Sequence, residues 1–419
     1  MSQPHPPESE LIYDWNRAGG AVFPARGRVE LDDETLRDGL QSPSVKSPSI
    51  DRELALLHMM DDLGIDSVDI GLPGAGPHVV KNVTRLAREI VDCGLKIRPN
   101  CAARTVAADI VPIIEISQKV GIPIEVSCFI GSSPIRQYAE DWDLDKMLSL
   151  SEDAVSLAVK EGLPVMYVTE DTTRAHPDAI RRMYTTAIRA GARRVCVCDT
   201  VGHATPNGVR NLITYVGALV AELDPEVKVD WHGHQDRGLG ITNALWALES
   251  GAHRVHACAL GIGERVGNTP MDQLLVNLQL LGWIDRDLTR LNDYCALVSE
   301  ATGVDIPDNY PVVGRDAFRT GTGVHAAAII KARKKGDNWL ADRVYSGVPA
   351  AMVGRTQVIE VGPMSGISNV QCWLENHGFE ERPELVEAIF RKAKESDRVL
   401  TDAEILAVAH SLAAAPATR

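Results

Sequence analysis

The chain has 419 residues, with 43 basic against 57 acidic side chains and a formal net charge of −14. That length allows one large α/β domain plus something smaller, and that charge argues against a nucleic-acid surface. No run of about 18 apolar residues marks a membrane span. The opening "MSQPHPPESE" lacks the basic and apolar regions of a secretory signal, so residues 1–28 read as an N-terminal extension. The eight cysteines fall mostly inside apolar segments, as Cys196 and Cys198 do in "RRVCVCDT", and none forms a CxxC pair. Reduced thiols in a cytoplasmic protein fit that usage best.

From Val29 onward, short apolar runs alternate with longer stretches of helical periodicity. The runs are "VELDDE" from Val29, "IDSVDI" from Ile65, "LKIRPN" from Leu95, "IPIEVSCFI" from Ile122, "LPVMYVTE" from Leu163, "RRVCVCD" from Arg193, "VKVDWHGH" from Val227 and "HRVHACAL" from His253. Thr205-Pro206 and Thr269-Pro270 each offer a capping hydroxyl before a proline suited to the first helical position. A glycine able to end the preceding helix stands at Gly64, Gly94, Gly121, Gly162, Gly191 and Gly251. Eight such units predict an α/β fold, a (β/α)₈ TIM barrel over residues 29–285. A doubly wound sheet would carry GxGxxG after its first strand, and the turn here reads "DETLRDGLQSP". Beyond it, residues 286–419 predict a mainly helical C-terminal subdomain that ends in two helices, the second opened by a Thr401/Glu404 capping box.

A TIM barrel places its chemistry at the C-terminal ends of its strands. In chain order those ends offer Arg37 and Asp38, Glu170 and Asp171, Asp199 and Thr200, His232 and His234, then Glu264 and Asn268. Two residues apart on a strand, His232 and His234 point the same way. Alone they are half a metal site or two incidental polar residues. With a carboxylate and the amide oxygen of Asn268 they make a set able to hold a divalent cation with positions left open. Structural alternatives stand beside these readings: a helix cap for Asp38, an ion pair for Glu170, a plain loop residue at Thr200 and a tight turn for the glycines.

The segments "ETLRDG", "WHGHQD" and "GIGERVGN" resemble the signatures of the DRE-TIM metallolyase superfamily. Within it they look most like the 2-isopropylmalate, homocitrate and citramalate synthases, and the resemblance covers the chain from about residue 29 onward. It implies metal ligands at Asp38, His232, His234 and Asn268, with the metal Mn²⁺, Mg²⁺, Co²⁺ or Zn²⁺. It further implies that Arg37 steadies the oxygen where charge develops, that Glu170 is the acid at the end of strand 5, and that Thr200 holds the carboxylate of a 2-oxo acid. "TGVH" resembles the family's "SGIH" and puts a catalytic histidine on His325, reaching over the barrel of a partner subunit, so a homodimer is implied. Gly261 and Gly263 fall in the glycine-rich loop, whose backbone amides could meet CoA phosphates.

The implied reaction condenses an acyl-CoA, acetyl-CoA first among the candidates, with a 2-oxo acid and then hydrolyses the thioester. The alternative is a carbon–carbon lyase like hydroxymethylglutaryl-CoA lyase, which shares "RDGLQ". That branch has a catalytic cysteine in its glycine loop, where this chain has Glu264 and Arg265. After strand 2 the chain reads "VDIGLPGAG", with Asp69 in the place of the family's acid. Some family members carry a tyrosine after "GRT"; here Gln357 stands there, so no tyrosine role is transferred. No stretch corresponds to a regulatory domain, so leucine inhibition is not expected.

Overall fold

Residues 6–20 and 22–414 are described by a computed structural model. Eight strands form one closed parallel barrel: β1 (Glu30–Asp33), β2 (Ser67–Asp69), β3 (Arg98–Arg104), β4 (Glu125–Gly131), β5 (Val165–Glu170), β6 (Arg194–Asp199), β7 (Lys228–Gly233) and β8 (Arg254–Ala257). They pair in chain order and β8 returns to β1, with His256 beside Asp32. Parallel neighbours need long crossovers, and helices supply them. The six glycines expected to end helices all have positive φ; Gly94 (63°) and Gly121 (81°) are left-handed C-caps.

The Thr205 hydroxyl accepts the amide of Gly208 and opens the helix Pro206–Leu223. Thr269 does not cap. The helix there starts at Met271, and the Thr269 hydroxyl donates to the carbonyl of Gly233 at 3.2 Å. The segment pairs with the end of β7 through a His234–Asn268 bridge, which draws Thr269 out of the capping position.

Period-two alternation gives the barrel its chemistry. Val29 and Leu31, Val195 and Val197, Val229 and Trp231 are buried apolar residues at alternate positions of their runs. The other face carries charged groups on several strands, and these meet across the interior, while Ala102, Phe129, Met166 and Val168 keep part of it apolar. Arg194 on β6 reaches Glu30 on β1 at 2.8 Å, and Arg254 on β8 reaches Glu125 on β4 at 2.6 Å. Where TIM barrels are commonly filled by layers of Val, Ile and Leu, this one holds ion pairs.

Contacts divide the chain into two units, Gly19–Asp305 and a second from Ile306 onward with the lead segment ending at Ala18. That division lies later than the boundary expected at residue 285. The helix Leu291–Thr302 stays with the barrel because Tyr294 hydrogen-bonds Asp33 and Thr35 behind β1. The second unit is mainly helical, with one pair of two-residue parallel strands, Arg319–Thr320 and Val358–Ile359. Its core includes Val370, Trp373, Leu374, Leu385, Ile389 and Ile405. The capping box holds: Glu404 donates its amide to the Thr401 hydroxyl, and Thr401 donates to Glu404 Oε2 at 2.8 Å. Among the described residues no helix is long and apolar enough to cross a membrane.

Candidate active site and metal centre

The C-terminal strand ends open onto a cavity of about 300 Å³ lined by Arg37, Asp38, Glu170, Thr200, His232 and His234, among others. Asp38, His232 and His234 can each turn one ligand atom to a common point, those atoms lying within 4.8 Å of one another. His232 Nε2 is 3.7 Å from Asp38 Oδ2. The His232 and His234 rings, on the same side of β7 as alternation requires, stand 5.1 Å apart.

Three observations test whether a divalent cation fits. Buried His234 Nδ1 and Asn268 Oδ1 have no hydrogen-bond partner among the described residues, and such atoms are costly without one. Burial and the neighbouring charge of His232 lower His234 to about 4, which leaves a neutral, ligand-competent ring at neutral pH. The third is charge. Arg37 donates Nε to Asp69 (2.7 Å), Nη1 to Asp38 (3.2 Å) and Nη2 to Glu34 (3.0 Å), so one guanidinium faces three carboxylates. Burial and the charges of Glu34 and Asp32 push Asp69 up to about 7 despite Arg37. A dication would offset that excess of negative charge. The residues fit the ion.

The other expected residues are placed as follows. Glu170 ends β5 on the cavity wall; burial raises its carboxyl, against the lowering influence of Arg136 and Arg37. The Thr200 hydroxyl accepts the amide of Asp171 at 2.8 Å, which leaves its proton to donate into the cavity. Gly261 and Gly263 act on Asn268 at close quarters. A Cβ on Gly263 (φ 148°) would lie 2.2 Å from Asn268 Nδ2, and the amide of Gly261 already donates to Cys258. That amide is therefore engaged, and the loop's evident work is to seat Asn268, whose Nδ2 donates to Asp38 Oδ1 at 3.1 Å. His325 belongs to the second unit. It is exposed in the first turn of the helix Gly323–Lys334, its ring stacked on Tyr345 at 4.0 Å. Gln357 is buried and lies 3.4 Å from Asp342.

Sequence reading missed Glu34 and His256, both on the cavity wall. The signal was there: "ELDDE" puts Glu30, Asp32 and Glu34 on one face of β1, an acid at every second residue of a barrel strand.

A closed eight-stranded barrel with acids, imidazoles and an arginine converging at its C-terminal mouth defines the class: a TIM-barrel protein with a candidate metal centre. Residues 28–298 match the family model described as HMGL-like, and the chain belongs to that family. It is 32% identical to a probable 2-isopropylmalate synthase of Methanopyrus kandleri, over 88% of this chain and 70% of that one. It is 31% identical to the homocitrate synthase AksA of the same organism, over 87% of each chain. A putative (R)-citramalate synthase CimA from that organism is 29% identical over 93% of this chain and 74% of its own length. Among solved structures, hydroxymethylglutaryl-CoA lyase from Pseudomonas aeruginosa superposes with a TM-score of 0.54 at 19% identity, covering 67% of this chain and 93% of that one. HMG-CoA lyase from Brucella melitensis gives 0.54 at 18%, covering 65% and 98%. These two show the fold alone. The similarity read from the three motifs is borne out: the chain is a DRE-TIM synthase, an acyltransferase of the kind that converts acyl into alkyl on transfer.

Proposed function

We propose that the enzyme condenses acetyl-CoA with a 2-oxo acid whose side chain is apolar, then hydrolyses the thioester to give a 2-hydroxy-2-alkyl dicarboxylate. The observation that carries this reading is the two-sided cavity. On one side Asp38, His232 and His234 converge beside Arg37. On the other, Ala102, Phe129, Met166 and Val168 from β3, β4 and β5 present an apolar wall. Among the described lining residues Arg37 is the only arginine or lysine, and three carboxylates already occupy it. A second carboxylate on the substrate would find no counter-charge there, which disfavours a 2-oxo dicarboxylic acid.

Asp38, His232, His234 and Asn268 Oδ1 would hold the divalent cation, which when bound supplies a Lewis acid for a chelating 2-oxo acid. Mixed oxygen and nitrogen donors suit Mn²⁺, Mg²⁺, Co²⁺ or Zn²⁺. Thr200 donates its hydroxyl proton to the substrate carboxylate and fixes its orientation. Arg37, permanently charged, aims a guanidinium N–H at the ketone oxygen as it gains charge. Glu170, its carboxyl raised by burial, takes a proton from the acyl methyl. His325 is the second proton-handling group, supplied by the C-terminal unit of another copy in a homodimer. The free thiols, seven of the eight buried, suit a reducing compartment, and we place the enzyme in the cytoplasm.

The test is thiol release from acetyl-CoA by purified protein with Mn²⁺ and a panel of 2-oxo acids. Release with branched or aromatic monocarboxylic 2-oxo acids, and little with 2-oxoglutarate, is expected. Preference for 2-oxoglutarate would overturn the substrate class, and cleavage of hydroxymethylglutaryl-CoA without any 2-oxo acid would select the lyase.

A further inference from the structure

Glu34 lies at the junction of two working groups. Its Oε1 accepts Arg37 Nη2 at 3.0 Å and faces His256 Nδ1 at 3.0 Å, and its Oε2 lies 2.8 Å from His232 Nδ1. Oε2 is not aligned for a hydrogen bond with that ring, but a carboxylate at 2.8 Å favours a proton on Nδ1 and leaves Nε2 facing Asp38. That tautomer and ring orientation are the ones a metal-bound imidazole needs.

Glu34 is itself held from below. The second nitrogen of His256, Nε2, is 3.0 Å from Asp230 Oδ2. Asp230 is gripped by Arg254 Nε (2.6 Å) and Arg194 Nη1 (2.5 Å), which are anchored on Glu125 and Glu30. Both ring nitrogens of His256 therefore face carboxylates. The ring is a rigid spacer between the ion pairs at the far end of the barrel and the mouth. The column has no slack at Glu34, which is 4% exposed.

Resting on the reading of the mouth as a metal-dependent condensing site, we infer that Glu34 is a positioning residue that fixes the Arg37 guanidinium and the His232 ring together, and that His256 holds Glu34 in place. Each acts through other groups. A structural role alone would be served by the Arg194 and Arg254 ion pairs, which fill the barrel without reaching the mouth.

The experiment titrates metal-stripped protein with Mn²⁺ by calorimetry, then measures kcat and KM for the 2-oxo acid at saturating metal, beside Tm. Glu34→Gln keeps the shape and removes the charge. It should weaken Mn²⁺ binding by about 10–100-fold and lower kcat with KM for the 2-oxo acid little changed. His256→Ala should weaken both by about 10-fold, and His256→Gln, whose amide can still donate to Glu34, should lose less than His256→Ala. Should Glu34→Gln fail to fold, the order of the two His256 variants carries the test. Wild-type Mn²⁺ affinity and kcat in Glu34→Gln, or in His256→Ala, with only Tm lowered, would overturn the proposal and leave the site reading intact. A wild-type protein that binds no Mn²⁺ would remove both.

Discussion

Arg37 and Asp38 are chain neighbours for which different work is proposed, and single substitutions separate the two roles. Arg37→Lys replaces a fork that meets Asp69, Asp38 and Glu34 at once with a point charge that cannot reach all three. Mn²⁺ binding should persist while kcat falls by about 10²–10³. Asp38→Asn should instead weaken Mn²⁺ directly, by at least about 10-fold. Calorimetry and steady-state kinetics on the two variants check this; equal metal affinity and equal rates in both would contradict the assignment. At this scale the sequence was legible wherever a residue's own chemistry named it. Asp38, His232 and His234 fell at strand ends where a barrel puts function, and the cavity brings them together. Glu34 and His256 were not found, because their role depends on who faces them across the barrel, and pairing between strands distant in sequence is invisible to spacing.

The strands were the most legible elements. Their apolar runs bury one face against helices, and alternation sets the other face without regard to what it carries. Cap chemistry was legible at Thr205 and Thr401, where the hydroxyl meets a local amide. It failed at Thr269 because a long-range partner, the carbonyl of Gly233, takes that hydroxyl. The glycine loop after β8 makes the same point. Its role in seating Asn268 emerges only when Gly263 is seen against that side chain. Gly263→Ala places a methyl 2.2 Å from Asn268 Nδ2 at a backbone angle that L side chains rarely adopt. It should cost at least about 10-fold in Mn²⁺ affinity. Gly208→Ala, whose Cβ meets nothing closer than 3.7 Å, should leave Mn²⁺ affinity unchanged. Equal titrations for the two variants would show that the loop does not seat a ligand.

Across the whole molecule, the barrel interior is a column of ion pairs from Glu30 to Glu34, and its stability should depend on pH accordingly. Burial pushes Glu30 up, but Lys228 and Arg194 more than offset this and hold it at about 2, below the usual 4.5. Arg194 and Arg254 hold Asp230 low in the same way, against its burial. A carboxylate depressed in the folded state contributes stability that is present above its unfolded value and lost as pH falls through its folded one. Tm should therefore drop steeply between about pH 4.5 and pH 2, and Glu30→Gln should flatten that drop; an unchanged profile in the variant would place the acid sensitivity elsewhere. The second unit makes a different prediction. If its His325 serves another copy's barrel, His325→Ala and Arg37→Ala should each be nearly inactive. Mixed under subunit exchange, they should recover about a quarter of wild-type activity, since half the dimers pair unlike chains and each such dimer has one intact site. No recovery despite demonstrated exchange would mean that His325 does not act across subunits.

The most direct measurement is continuous thiol release from acetyl-CoA with a branched 2-oxo acid, followed before chelation, after it, and after readdition of Mn²⁺. A metal-dependent condensation predicts release that requires the 2-oxo acid, stops on chelation and returns with the metal. Release that continues at full rate in metal-free protein, or that proceeds without the 2-oxo acid, would contradict it.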